Sequence, residues 1–176
     1  MKDTGFFVPP EQAHRLATVY TPNESNSAIS PHDPERSRDF TTPPTYFSGG
    51  GGLVSTASDY LRFSQMLLNG GELDGTRILS PETIELMTSN HLGDIPIWGG
   101  VGNYGFGLGF LIYPDRGDSG AILSEGSFGW SGMAHTTFWV DPAEELIGIF
   151  LVQILPRSPM PYRDLFKPVV YQAIAD

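Results

Sequence analysis

Cysteine is absent from the 176 residues, which excludes disulfides, thiolate metal ligands and a cysteine nucleophile. No apolar run reaches the roughly 18 residues that a membrane-crossing helix requires. Lysine occurs only as Lys2 and Lys167. Lys and Arg together number 10 against 20 Asp and Glu, a net charge of -10. That balance argues against a nucleic-acid backbone or an anionic membrane as partner, because both demand a basic face. The opening stretch Met-Lys-Asp-Thr-Gly-Phe-Phe-Val-Pro-Pro has neither the charged nor the apolar region of a signal peptide, and none is expected there.

What is present suits one domain. Hydrophobic residues make up 40% of the chain and charged residues 17%, and a chain of this size can bury about 70% of its unfolded surface. Glycine (21) and proline (15) are frequent but without a collagen period. Residues 1 to 47 are a loop-rich lead-in. Within them Leu16, Ala17, Val19 and Tyr20 suggest a short strand, and 21 to 45 read as a long loop.

Residues 48 to 89 form a helical segment. Gly49 to Gly52 precede a helix that Thr56 and Asp59 open as a capping box. Its predicted inner face carries Ala57, Tyr60, Leu61, Ser64, Leu67 and Leu68. Gly70-Gly71 stop it, Asp74-Gly75 form a tight turn, and Ser80-Pro81-Glu82 start a second helix running to about Ser89.

Strands are expected across 104 to 155. Tyr104, Phe106, Leu108, Phe110 and Ile112 alternate with Gly105, Gly107 and Gly109, giving one strand with an aromatic-aliphatic face and a bare face. A bare face lets another backbone or a ligand come close. Pro114 to Gly120 read as a turn. Ala121 to Glu125, Ala134 to Val140 and the nearly all-apolar Leu146 to Leu155 are further strands. A helix over 162 to 175 carries the stripe Leu165, Phe166, Val169, Val170 and Ala173, with a start or kink at Pro168. The fold class is therefore α+β: an antiparallel sheet of about four strands flanked by helices. Nothing in the pattern obviously covers the sheet's edges.

Several motifs carry chemistry weakly. Gly117-Asp118-Ser119-Gly120 resembles a trypsin-like nucleophile motif, but a polar turn accounts for it, and the strands of two barrels do not precede it. The glycine run 49 to 52 could cradle phosphate, yet no Gly-Lys-Ser/Thr follows; it reads as a tight passage without room for side chains. His14, His32, His91 and His135 show no ligand spacing, so no metal site is assigned, and no motif calls for a cofactor. Gly129-Trp130-Ser131-Gly132-Met133 alone reads as a strand with one aromatic and two small residues.

Three stretches change that reading. Ser48 to Phe63 (SGGGGLVSTASDYLRF), Leu67 to Thr83 (LLNGGELDGTRILSPET) and Tyr104 to Phe110 (YGFGLGF) together resemble the serine β-lactamase-related hydrolases. That group includes class C β-lactamases and DD-peptidases, and the likeness is strongest to family VIII carboxylesterases and related acyltransferases. The resemblance spans nearly the whole chain and implies the C-terminal part of the β-lactamase/transpeptidase-like fold. In that family a Ser-x-x-Lys motif supplies the nucleophile, a Tyr motif the base, and a Lys-Thr-Gly, His-x-Gly or Trp-x-Gly motif lines a sheet edge. By resemblance Trp130-Ser131-Gly132 is the third motif, and the backbone N–H of Met133 is an oxyanion donor, a role suited to a group held fixed on a strand. Tyr104 and Phe128 are the other expected substrate contacts.

Ser-x-x-Lys is missing: Asp164 stands three residues before Lys167, and Lys2 has no such predecessor. The Tyr motif is missing too. The chain is accordingly expected to be the C-terminal portion of such a hydrolase, without a nucleophile and inactive alone. Its expected partners are the N-terminal portion of the same hydrolase, or its own copies, through an open sheet edge, with a small-molecule ester as substrate. An indole at position 130 lacks the cation that holds an antibiotic's carboxylate; losing such a charge-assisted hydrogen bond removes about 1.5–3 kcal/mol of recognition. An uncharged ester is thus the expected substrate class. The alternative is a non-catalytic small-molecule or protein binding module that keeps part of the fold, with a pocket walled by Trp130, Phe128 and Tyr104.

Overall fold

The computed structural model describes residues 1–25, 27–33, 38–97, 104–114, 122–155 and 162–174. A 3₁₀ turn at Pro10–Arg15 is followed by a small hairpin, β1 (Tyr20–Pro22) and β2 (Ile29–Pro31). The region expected to be one long loop therefore contains paired strands, and the strand expected from Leu16 begins only at Tyr20.

Helix α1 (Ala57–Leu68) starts as its sequence dictates. The Thr56 side chain accepts the Asp59 N–H at 3.2 Å. The reciprocal half of the capping box is absent. The Asp59 carboxylate turns instead to the N-terminal segment and accepts from Lys2 N, Asp3 N and Thr4 Oγ1. Burial raises this carboxyl, but those bonds prevail and hold it below its ordinary value. Of the expected inner face, Ser64 and Leu67 are buried and Tyr60 and Leu68 pack on the core, whereas Leu61 is exposed and Met66 is buried in addition. Gly70 and Gly71 end the helix at positive φ, and Gly71 N donates to Met66 O at 2.8 Å. Asp74 and Gly75, both at positive φ, turn β3 (Glu72–Leu73) into β4 (Thr76–Arg77). Ser80 then caps α2 (Pro81–Thr88).

A five-stranded antiparallel meander forms the centre: β5 (Gly105–Phe106), β6 (Leu111–Ile112), β7 (Phe128–Ser131), β8 (Thr137–Asp141) and β9 (Leu146–Phe150). The single alternating strand expected over 104 to 112 is a hairpin. Gly109 at φ +100 permits the reversal, and Gly107 N donates to Phe110 O. The bare positions serve close backbone approach: a Cβ on Gly107 would lie 2.1 Å from Met87 O at the end of α2. Residues 122 to 125 form no strand, and the Gly117 to Gly120 motif lies outside the described residues.

Alternation along β8 divides the core. Phe138 and Val140 face α1 and α2 with Met66, Leu67, Ile84, Phe110 and Phe128. Trp139 faces the other way, joining Tyr113 and Leu123 beneath helix α3 (Tyr162–Gln172), where Phe166 and Tyr171 meet its ring. Pro168 lies inside α3, not at its start. The sheet is thus covered on both faces.

The edges differ. Beside β5, Phe106 O accepts from His91 N and Phe106 N donates to Asn90 Oδ1, while Leu108 N donates to Met87 O, so the segment after α2 shields that side. Beyond β9, Tyr20 of β1 exchanges hydrogen bonds with Gln153 and Leu155. No described strand pairs with the outer edge of β9 itself.

Asp141 closes β8 in complete burial. It accepts Tyr171 Oη–H at 2.6 Å, Ser124 N–H at 3.0 Å and Glu144 N–H at 3.3 Å. Burial alone raises its pKa; the Tyr171 hydroxyl and the backbone donors outweigh that and leave it lowered. A lowered native pKa contributes stability above the unfolded value of about 3.9, and that stability is lost as pH falls through the native value. Tyr171→Phe should therefore cost about 1.5–3 kcal/mol in urea unfolding at neutral pH, with the gap to wild type closing in acid. An equal cost at both pH values would contradict a charged acceptor.

Candidate functional site

The expected site residues occupy the β7–β8 hairpin and its surroundings. Trp130 sits opposite Phe138, and Ser131 opposite Thr137. The Trp130 ring meets Phe106 edge-on at 5.2 Å and is 37% exposed. Ser131 Oγ donates to Thr137 Oγ1 at 3.2 Å, and Thr137 Oγ1 in turn donates to Trp130 O at 3.2 Å. This hydroxyl chain ties the two strands just before the turn.

The turn is closed by Gly132 N donating to Thr136 O (2.8 Å) and His135 N donating to Gly132 O (3.2 Å). Gly132 has a steric reason: a Cβ there would fall 2.3 Å from Thr136 Oγ1. Buried His135 takes the left-handed conformation at φ +69 that the turn requires, a conformation in which His is less unusual than most residues. Met133 is 73% exposed. Among the described residues its N–H has no hydrogen-bond acceptor. A backbone donor held by a paired hairpin and left without an acceptor can stabilise developing negative charge without reorganising.

The structure brings Trp130, Ser131, Gly132 and Met133 together and separates the other two expected contacts from them. Phe128, 2% exposed, packs against Phe110 in the core beneath α1. Tyr104 meets Tyr113 edge-on at 5.6 Å, on the α3 side of the sheet. The three aromatic residues expected to wall one pocket do not share a wall. Lys167 is engaged elsewhere: it donates to the Tyr113 hydroxyl and lies over the Tyr113 and Trp139 rings. No group of three or more potential metal ligands converges among the described residues.

A profile of the Beta-lactamase family matches residues 1–169. Protein Rv1367c of Mycobacterium tuberculosis is 39% identical over 169 residues, a match covering 89% of this chain and 40% of that protein. Penicillin-binding protein 4 of Amycolatopsis lactamdurans is 30% identical over 137 residues, covering 66% of this chain and 35% of that protein. Among solved structures, unliganded simvastatin synthase (LovD) from Aspergillus terreus aligns with TM-score 0.78 at 22% identity, covering 100% of this chain and 48% of LovD. EstCE1, described as a hydrolase with promiscuous acyltransferase activity, aligns with TM-score 0.75 at 23% identity, covering 97% of this chain and 47% of its own. The chain therefore spans less than half the length of these relatives.

The hydroxyl chain yields a direct test of how the hairpin is held. Thr137→Val keeps the buried volume and removes both bonds, and should cost about 1–3 kcal/mol, since each lost hydrogen bond contributes about 0.5–1.5 kcal/mol. Urea unfolding measures it; a neutral substitution would mean that strand pairing alone fixes the turn.

Proposed function

The chain belongs to the Beta-lactamase family, and we propose that it is the C-terminal portion of a serine hydrolase that cleaves esters through an acyl-enzyme. The observation that supports this reading is exposed Met133, two residues beyond β7 in the hairpin turn, whose N–H has no acceptor among the described residues. The remaining portion of the hydrolase supplies the serine nucleophile and its lysine and tyrosine bases. Its serine oxygen bonds to the ester carbon while the Met133 N–H donates to the carbonyl oxygen. The carbon–oxygen bond to the alcohol then breaks, and the alcohol leaves with the serine proton. Water attacks the acyl-serine to release the acid and restore the serine. Trp130 offers a flat wall and no cation, which favours an uncharged ester over a carboxylate-bearing β-lactam.

Two surfaces support a partner chain. The outer edge of β9 pairs with no described strand. On α3, Leu165 and Val169 are 60% and 62% exposed, one turn apart, while Phe166 and Val170 face inward. A helix apolar on both sides is ordinarily covered on both, and an unpaired strand edge invites pairing. We assign both surfaces to contact with the N-terminal portion, with self-association expected when that portion is absent.

The test is complementation. This chain alone should not hydrolyse 4-nitrophenyl butyrate; mixed with the separately made N-terminal portion it should, and benzylpenicillin should be turned over far more slowly. Full ester cleavage by this chain alone would overturn the assignment of the nucleophile, and equal turnover of the penicillin would overturn the substrate class. Leu165→Glu with Val169→Glu should shift the isolated chain toward monomer in sedimentation velocity and weaken complementation.

A further inference from the structure

The Met133 N–H stands at the end of a series of hydrogen-bonded peptide units drawn from three regions far apart in sequence. His32 N donates to Val19 O at 2.7 Å, Tyr20 N to Gln153 O at 2.8 Å, Ile154 N to Ala134 O at 3.3 Å and His135 N to Gly132 O at 3.2 Å. Each acceptor carbonyl shares a peptide bond with the next donor: Val19 with Tyr20, Gln153 with Ile154, Ala134 with His135 and Gly132 with Met133. The last N–H in the series is that of Met133.

Such a series has a direction. When the carbonyl of a peptide unit accepts a hydrogen bond, electron density moves toward its oxygen and leaves its own N–H a stronger donor. Linked units therefore reinforce one another, by about 10–30% per bond. All four bonds run one way, toward Met133. The arrangement matches the aligned peptide dipoles at a helix N-terminus. Here they are assembled from a hairpin, the chain beyond β9 and a turn rather than from consecutive residues.

The fold holds the series in place. Ile154 and His135, which carry the two inner donors, are 3% and 6% exposed. Burial limits competition from water, and the lower local dielectric strengthens both bonds. Tyr20 is tied twice to the chain beyond β9, since Leu155 N also donates to Tyr20 O at 2.8 Å. Pairing of Tyr20 with Pro31 in the β1–β2 hairpin brings His32 N to Val19 O.

We propose that this series polarises and aims the Met133 N–H, so that the β1–β2 hairpin and residues 153 and 154 are positioning elements for the oxyanion donor. The proposal rests on the ester-hydrolase reading for the reaction that the donor serves. Negative charge gathers on the substrate oxygen only as the serine attacks, so a stronger donor raises kcat and leaves KM unchanged.

The test replaces single backbone amides by esters, which deletes one N–H and leaves the side chains as they are. An ester between Gln153 and Ile154 removes the Ile154 donor and weakens the Gln153 carbonyl as an acceptor. An ester between Ile154 and Leu155 is the control. It removes the bond from Leu155 N to Tyr20 O, in the same segment but outside the series.

In the isolated, isotopically labelled chain, the first ester should slow hydroxide-catalysed exchange of the Met133 amide about twofold, because a less polarised N–H is less acidic. Loosening of the turn would instead speed exchange or leave it unchanged. In the complex with the separately made N-terminal portion, the first ester should lower kcat for 4-nitrophenyl butyrate about threefold or more with KM unchanged. The control should lower Tm as much as the first ester and change neither quantity. Unchanged or faster Met133 exchange with the first ester, slowed exchange with unchanged kcat, or equal loss of kcat in the two esters would each overturn the proposal. A wild-type complex without esterase activity, together with slowed exchange in the first ester, would overturn the ester-hydrolase reading and leave the polarised donor in place.

Discussion

A fully buried carboxylate at the end of β8 organises one whole side of this molecule. Asp141 draws donors from three places: the hydroxyl of Tyr171 on α3, the backbone of Ser124 ahead of β7, and the backbone of Glu144 in the β8–β9 turn. Burying a charge is costly unless it is fully hydrogen-bonded, so α3, the approach to β7 and the hairpin must all be in place together. Trp139, two residues earlier on the same strand, is equally buried and packs on Phe166 and Tyr171. The same few residues thus seat α3 on the sheet and set the level at which β7 begins, and β7 carries Trp130 to its exposed position.

The two sheet edges follow a different logic. Residues at the end of α2 and after it shield β5; glycine at 107 lets the Met87 backbone approach, and glycine at 105 leaves room for the Asn90 side chain. Near β9, Tyr20 reaches the chain beyond the strand, and no described strand pairs with the outer edge of β9. An edge of this kind, next to a helix with an outward apolar stripe, invites pairing. The chain spans less than half of each relative described above.

Local signals were legible where the physics is local. Thr56 and Ser80 mark two helix starts through their own side-chain bonds, and Asp74-Gly75 and Gly70-Gly71 mark turns through positive φ. Where a residue answers to distant partners, local reading failed. Asp59 left its capping box for the N-terminal segment. Leu61 points outward although it fits the helical stripe. Alternation over 104 to 112 concealed a reversal at Gly109. Phe128 has the composition of a pocket wall and the position of a core residue. For the candidate site, the Trp130 to Met133 segment was found through its resemblance to a family, since the residues alone read as an ordinary strand.

By itself the sequence determined the α+β class, the helix and turn positions, the missing Ser-x-x-Lys, and the exclusion of disulfides and thiolate chemistry. Those depend on composition and on bonds between near neighbours. Only tertiary structure decided that Met133 is exposed with no acceptor for its N–H among the described residues, that Asp141 is buried and charged, and that Gly49 to Gly51 lie open while Gly52 does not. Each of these depends on which distant backbone or ring occupies the space beside a residue, and that is set by how the strands and helices pack.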